Sequence, residues 1–298
     1  WGVYMTNEAV KSVAESIRDN FEDLTRTERL FANVLLENYP MSCLGSITAV
    51  AAAADVSTPT VLRTVKKLGY DGFPDFQAAV HTELEEKISS PITKFDRWNE
   101  SAADTHILNE FTDAVMENMR QSLMQIDPEE FDAIVNKLST QKNALHIVGG
   151  RITRSLADYF FTHMQVARKN VHRVASNSNT WPHYLLNMEK GDLLVCFDVR
   201  RYEHSLLNLT HLASERGVDV ILFTDQWGSP AAKNAKHVFN LRIEVPSAWD
   251  SSVVTLFLLE ALIAAVQKKT WTQTKKRMNE LEYLFDETRL FKKFKKIT

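Results

Sequence analysis

Residues 46–76 read SITAVAAAADVSTPTVLRTVKKLGYDGFPDF, and three signals divide the stretch. Ile47 to Ala54 is a short Ala-rich helix, Asp55-Val56-Ser57 a tight turn, and Pro59 to Leu68 a second helix with Pro59 at its first position and Gly69 as its stop. A helix, a three-residue turn and a second helix that starts with small polar and basic residues is the arrangement that lets a recognition helix enter the DNA major groove. Ser57, Thr58 and Thr60 stand at its front, where hydroxyls and free helix N–H groups suit phosphates. Arg63 and Thr64 follow one turn later, with Lys66, Lys67 and Tyr70 beyond, completing eight candidate DNA contacts. On this pattern alone a small helical domain with a solvated basic face fits as well.

Working outward, Glu8 to Phe21 and Leu24 to Tyr39 read as earlier helices, the second with a Thr25 to Glu28 capping box and ended by Pro40. Phe73 to Lys87 is a closing amphipathic helix, and Ser89-Ser90-Pro91 breaks the pattern. This places a head domain at 1–90. Its charge is polarised: residues 1–90 carry 8 Lys and Arg against 13 Asp and Glu, yet Ser57 to Tyr70 holds Arg63, Lys66 and Lys67 and no carboxylate. The formal net charge of −3 therefore hides a patch suited to a phosphate backbone.

Beyond the head, Ala103 to Gln125 and Pro128 to Ser139 are longer helical stretches, and the period then changes. Ala144 to Val148, Asp192 to Phe197 and Val218 to Phe223 are short apolar runs, each followed by a turn and a helix-length segment (Ser155 to Arg168, Ser205 to Arg216 and Asp250 to Lys268). Such alternation implies a doubly wound parallel α/β sheet. The expected fold is thus an all-α helix-turn-helix head followed by an α/β domain and a C-terminal helix. The divisions expected after the head are a linker and connecting helix at 91–127, the sheet domain at 128–270 and an amphipathic helix at 271–298.

Ligands of such sheets sit beyond the carboxyl ends of the strands. The first loop there offers Gly149, Gly150, Arg151, Thr153 and Ser155, an anion cradle in outline. The second offers Asp198, Arg200, Arg201 and Tyr202; the adjacent arginines either grip an anion or form an internal ion-pair network. Ser247 and Ser251, near the start of the last domain helix, complete the expected pocket, with Trp249, Asp250 and Ser252 beside them. Trp181, Pro182 and His183 read as core or as cover for a ring, and Glu260 as half of an ion pair with Arg151 or Arg200.

Composition excludes other classes. Hydrophobic residues make up 44% of the 298, charged residues 24%, and Gly plus Pro number 17, which suits packed domains and not a disordered chain. Cys43 and Cys196 are far apart and lack metal-site spacing, so neither zinc nor a disulfide framework is expected, and no cofactor is indicated. The longest apolar run, Val253 to Val266, is too short for a bilayer span, and no secretory signal pattern opens the chain, so a cytoplasmic protein without membrane contact is expected.

Residues 24–76 resemble the helix-turn-helix domain of RpiR-type bacterial transcription regulators, whose pattern VS..TV.R..K.LG..GF is filled here by Val56, Ser57, Thr60, Val61, Arg63, Lys66, Leu68, Gly69, Gly72 and Phe73. Thr64 stands where that family often has Phe. Residues 144–267 resemble the SIS (sugar isomerase) domain that follows it, through GVDVILFT at 217–224 and SPAAKNA at 229–235. The resemblance implies a phosphosugar site with a Gly-rich first loop, where Thr153 falls at a serine, and an S.SG.T second loop. That second loop departs from the family: Asp198 and Arg200 replace the serines, Arg201 the glycine and Glu203 the threonine.

The tail repeats Met278, Leu281, Leu284, Phe285, Phe291 and Phe294 on one face, opposite Lys275, Lys276, Lys292, Lys293 and Lys296, which suits docking on its own domain or a second subunit. Four side chains, Glu203, His204, His183 and Glu260, are candidate bases for the alternative of a sugar-phosphate isomerase with a helical accessory domain. Nothing in their spacing demands a reaction. The expectation is a non-enzymatic regulator of a catabolic or metabolic operon, binding operator DNA as a homodimer or homotetramer and controlled by a small anionic metabolite such as a sugar phosphate or sugar acid.

Overall fold

The computed structural model describes residues 11–37, 39–88, 90–101 and 106–291. The expected start of the first helix at Glu8, Ser89 of the boundary, and Lys292, Lys293, Phe294 and Lys296 of the tail lie outside them. The head contains α1 (Val13–Asp19), α2 (Arg26–Glu37), α3 (Ile47–Ala53), α4 (Thr58–Lys67) and α5 (Phe73–Ile88). Each start has a local cause. Ser12 and Glu15 form a capping box on α1, Glu28 accepts from the Thr25 N–H at the start of α2, and the Ser46 and Ser57 hydroxyls accept from the third residue of α3 and α4. Thr58, not Pro59, is the first residue of α4. Gly69 follows it with φ +96°, a conformation that favours glycine. Phe31, Leu35, Val50, Val61, Val65, Phe76 and Val80 fill the core between these helices.

Two helices follow, α6 (Pro91–Ser101) and α7 (Ile107–Met124), then α8 (Pro128–Ser139). The sheet domain continues with β1 (Leu145–Gly149), α9 (Arg154–Ala167), β2 (Val171–Arg173), α10 (Trp181–Leu186), β3 (Leu193–Phe197), α11 (His204–Glu215), β4 (Asp219–Asp225), β5 (His237–Leu241) and α12 (Val253–Lys269). All four strand pairings are parallel, in the order β2-β1-β3-β4-β5. The pleat sends Leu145, Ile147, Val195, Phe197, Ile221 and Phe223 to one face, under α8, α9 and α12. Val148, Leu194, Cys196, Val220 and Leu222 go to the other, under α10 and α11. β2 and β5 escape the sequence pattern because they are edge strands: β2 has three residues, none buried, and β5 buries only alternate positions.

Helix α7, expected as part of a connector, packs on α12 and β5 and is pinned there. The Asn118 amide donates to the Glu244 carbonyl at 2.6 Å, and the Ser122 hydroxyl accepts from the Arg242 N–H at 2.9 Å. The head is also seated on the sheet domain: Trp227 and Ile243 join its core. Beside them Arg242 Nε donates to Glu15 Oε1 at 2.8 Å, both side chains buried. The last helix, α13 (Trp271–Glu287), lies on α9, with the Arg277 guanidinium on the carbonyls of Gln165 and Val166. Its outer face leaves Trp271, Tyr283 and Leu284 exposed.

Candidate functional site

The first candidate surface is the outer side of α4. Ser57, Arg63, Lys66 and Leu62 are exposed there, and Thr58 is half-buried. The Arg63 guanidinium is 3.2 Å from Thr60 Oγ1, itself 2.9 Å from Ser57 Oγ, so the cation is held over the front of the helix. Three of the eight expected contacts need correction. Thr64 is 0% exposed and its hydroxyl donates to the Thr60 carbonyl at 2.9 Å, because its position on α4 faces the head core. Thr60 is buried too, and positions Arg63 instead of meeting solvent. Tyr70 packs edge-on against Phe76. Lys67 is exposed but lies 2.8 Å from the buried Glu28 carboxylate. Burial pushes the Glu28 pKa up, but hydrogen bonds from Lys67 and Thr25 outweigh it and leave the carboxyl below its ordinary range.

The second candidate is a cavity of about 880 Å³ beyond the carboxyl ends of β1 and β3. These strands are neighbours whose following helices leave to opposite faces, so their loops part and open a crevice at the switch in strand order. Gly150, Arg151 and Thr153 come from the first loop, Asp198, Arg200, Arg201 and Glu203 from the second, and Trp249, Asp250, Ser251 and Ser252 from the approach to α12. Ser90, Pro91 and Lys94 enter from the start of α6, a wall no sequence signal announced.

The first loop is folded by its own groups. The buried Thr153 hydroxyl donates to the Phe197 carbonyl at 2.9 Å and accepts from the Gly150 N–H at 2.8 Å. A Cβ on Gly149 would meet the Thr153 backbone at 2.6 Å, so only glycine fits under the loop; its role is structural. Ser155 is exposed, bonded to the Ile152 carbonyl, and outside the cavity lining.

The two arginines separate sharply. Arg200 is buried: Nε lies 3.1 Å from Asp250 Oδ2, Nη2 pairs with Asp250 Oδ1, and Nη1 reaches the Glu86 carbonyl at 2.9 Å and Glu244 at 3.3 Å. Its guanidinium also stacks on Trp227 at 4.6 Å. Arg200 is thus the hub of an internal network and not a free ligand hand. Arg201 sits at φ +66°, exposed, with no hydrogen-bond or ion-pair partner among the described residues. Arg151 is exposed as well, its guanidinium 5.7 Å from the Trp249 ring.

Asp198 is buried, holding the Ser229 hydroxyl at 2.5 Å and the Glu203 N–H at 3.2 Å. Burial raises its pKa to about 7, with the nearby Asp225 and Glu203 charges adding to the rise and the Ser229 hydrogen bond opposing it. Tyr202 turns away from the cavity and donates to Asp225 Oδ1 at 2.7 Å, and the Ser247 hydroxyl, outside the lining, accepts from the Trp249 N–H. Both are corrections to the expected lining. Ser251 does line the cavity, its hydroxyl accepting from the Val253 N–H. Glu260 pairs with neither expected arginine and accepts from Tyr159 at 2.9 Å. Trp181 is core, its indole N–H on the Ala175 carbonyl, and of the four candidate bases only Glu203 reaches the cavity.

No group of three or more His, Cys, Asp or Glu able to hold a metal occurs among the described residues. Both thiols are buried, and burial pushes Cys43 up to about 12 and Cys196 well above its ordinary value. No described helix is long and apolar enough to cross a membrane.

Comparison with known proteins finds separate matches for the head and for the sheet domain. Residues 11–87 match the helix-turn-helix domain of the rpiR family, and residues 137–265 match the SIS domain. The HTH-type transcriptional regulator HexR of Pseudomonas aeruginosa is 27% identical over 276 residues, spanning 86% of this chain and 90% of that protein. The Vibrio vulnificus NanR protein complexed with ManNAc-6P shares the fold at 18% identity and a TM-score of 0.55, over 93% of this chain and 99% of that one. The sugar isomerase domain of an RpiR transcription factor from Sphaerobacter thermophilus shares it at 22% identity and a TM-score of 0.54, over 59% of this chain and 97% of that one. With a head and a sheet domain of these two types in this order, the chain belongs to the RpiR family of helix-turn-helix transcription regulators.

Proposed function

We propose that this protein is a cytoplasmic, homo-oligomeric regulator that binds operator DNA through the outer face of α4 and takes a small anionic metabolite in the cavity beside β1 and β3. Ser57, Thr58, Arg63 and Lys66 supply the exposed contacts of that face. The two uncommitted cations of the cavity, Arg151 and Arg201, supply the attraction for the effector's anionic group. A sugar phosphate or a sugar acid has the right charge and size, and NanR, similar in fold, was solved with a phosphosugar.

One observation carries the link between the two sites: the start of α6, directly after the head, walls the cavity together with the loops of the sheet domain. Asp250 holds Lys94 of α6 at 2.6 Å and Arg200 of the second loop, while Arg200 also grips the Glu86 carbonyl at the end of α5. An effector that enters beside this cluster bears directly on the seating of the head. It thereby favours one spacing of the two heads of a dimer over another.

A thermal-shift screen over sugar phosphates, sugar acids and other anionic metabolites tests the reading. A hit is expected to vanish in Arg151→Ala and Arg201→Ala while DNA binding of the effector-free protein persists. A hit that survives in both variants would overturn the assignment of the cavity.

A further inference from the structure

The Glu203 side chain leaves its own helix and docks in the first loop. Its Oε1 accepts from the Arg151 N–H at 2.5 Å, just ahead of the N-terminus of the 14-residue α9. Although Glu203 is the N-cap residue of α11, its carboxylate makes no capping bond there. A Cβ on Gly150 would stand 2.6 Å from that same Oε1, so the missing side chain at 150 makes room for the carboxylate. The Glu203 backbone is anchored in turn by its N–H on buried Asp198.

A backbone N–H beside a helix N-terminus is where an anion would lodge. Here a covalently attached anion is already in place. We propose that Glu203 is a built-in occupant of the first-loop cradle and closes it to phosphate, making Glu203 the specificity-determining residue of the cavity. The effector's anionic group then sits outside the cradle, at Arg151 and Arg201, and Glu203 and Asp198 face its hydroxyl or ammonium donors. This rests on the reading of the cavity as the effector pocket, and it narrows the effector class to a polyhydroxy or amino compound with an anionic group that does not enter the first loop.

The test uses inorganic phosphate on the full chain, at ionic strength matched with chloride, read by calorimetry and thermal shift. Removing one negative charge within contact distance of the cradle is expected to tighten phosphate binding at least about tenfold in Glu203→Thr, with a smaller gain in Glu203→Gln, which keeps an acceptor on the Arg151 N–H. Folded variants with no gain would overturn the proposal. If neither variant folds, the parent side chain at 203 decides: saturable phosphate binding that persists when both Arg151→Ala and Arg201→Ala are made overturns it, and absence of binding, or its loss in that double variant, supports it. A phosphate gain in Glu203→Thr together with no metabolite response in the parent would instead sink the effector-pocket reading and leave the plugged cradle standing.

Discussion

Lys94 Nζ lies 2.6 Å from Asp250 Oδ1, tying the helix that follows the DNA-binding head to the loop that opens the last helix of the sheet domain. Asp250 is shared with Arg200, whose guanidinium is itself buried. Burial alone would raise the Asp250 pKa, but the Arg200 and Lys94 contacts more than offset it and hold the carboxyl below its ordinary range. One carboxylate therefore bridges two cations from different parts of the fold, with Glu244 as a second anion at Arg200.

Asp250→Asn is expected to destabilise the protein by about 3 kcal/mol, because it leaves buried Arg200 short of its main partner. Lys94→Met, which keeps the apolar stem and removes the charge, is expected to cost less and to weaken the coupling between effector and DNA. Thermal melts and gel shifts with and without effector read both effects. Equal melting temperatures for the parent and Asp250→Asn would refute the hub role of this residue.

On the DNA side, Arg63→Ala and Lys66→Ala are each expected to weaken operator binding and to lower the salt slope of log K by about 1, the signature of one lost phosphate contact. Lys67→Ala is expected to act mainly on stability, by about 1 kcal/mol, because its ammonium serves Glu28. A salt titration of DNA affinity separates the two behaviours.

Thr64 supplies a contrast on the same helix. Thr64→Val is expected to change stability by less than about 1.5 kcal/mol and to leave DNA affinity as it is, since the side chain is wholly internal and loses one hydrogen bond to Thr60. A DNA defect without a stability change would contradict its placement in the core.

Acidity should strengthen the fold over a defined window. Burial raises Asp198 to about 7 and, in the head, Glu83 to about 7, where Tyr39 and the Val13 N–H donate to it. Both bind protons more tightly when folded, so their stabilising contribution is complete below the ordinary carboxylate range and is lost as pH rises through 7. Glu15 and Asp250, held below their ordinary values by Arg242 and Arg200 despite burial, act the other way and lose their contribution only in strong acid. Melting temperature is expected to fall between about pH 4 and pH 7, the span from the ordinary to the raised values, and to level off above it, with a shallower slope in Asp198→Asn and Glu83→Gln. An unchanged slope in both variants would show that other groups govern it.

Much of the fold was legible in local chemistry. Caps, the left-handed Gly69 and the Ala-rich α3 announced the helix-turn-helix within a residue or two, and three apolar runs announced β1, β3 and β4. The two loops expected to hold a ligand do line the cavity, because the carboxyl ends of parallel strands are where such a sheet opens. What failed were side-chain directions. Arg200 and Arg201 are adjacent and alike in sequence, yet one is the hub of an ion-pair network and the other is exposed with no partner among the described residues, because the backbone turns at the positive φ of Arg201. Thr64 and Arg63 diverge because one step along a helix turns the side chain by about 100°, which takes it from solvent into the head core.

By itself, then, the sequence determined the order and type of the elements, since capping, turn formation and apolar periodicity act over a few neighbouring residues. Tertiary structure alone decided that Lys94 and Glu86 meet the loops around the cavity, and that Glu203 reaches back across 52 positions to the Arg151 N–H. Those contacts depend on how two finished domains and two strand-end loops approach one another, and no local period or spacing encodes that approach.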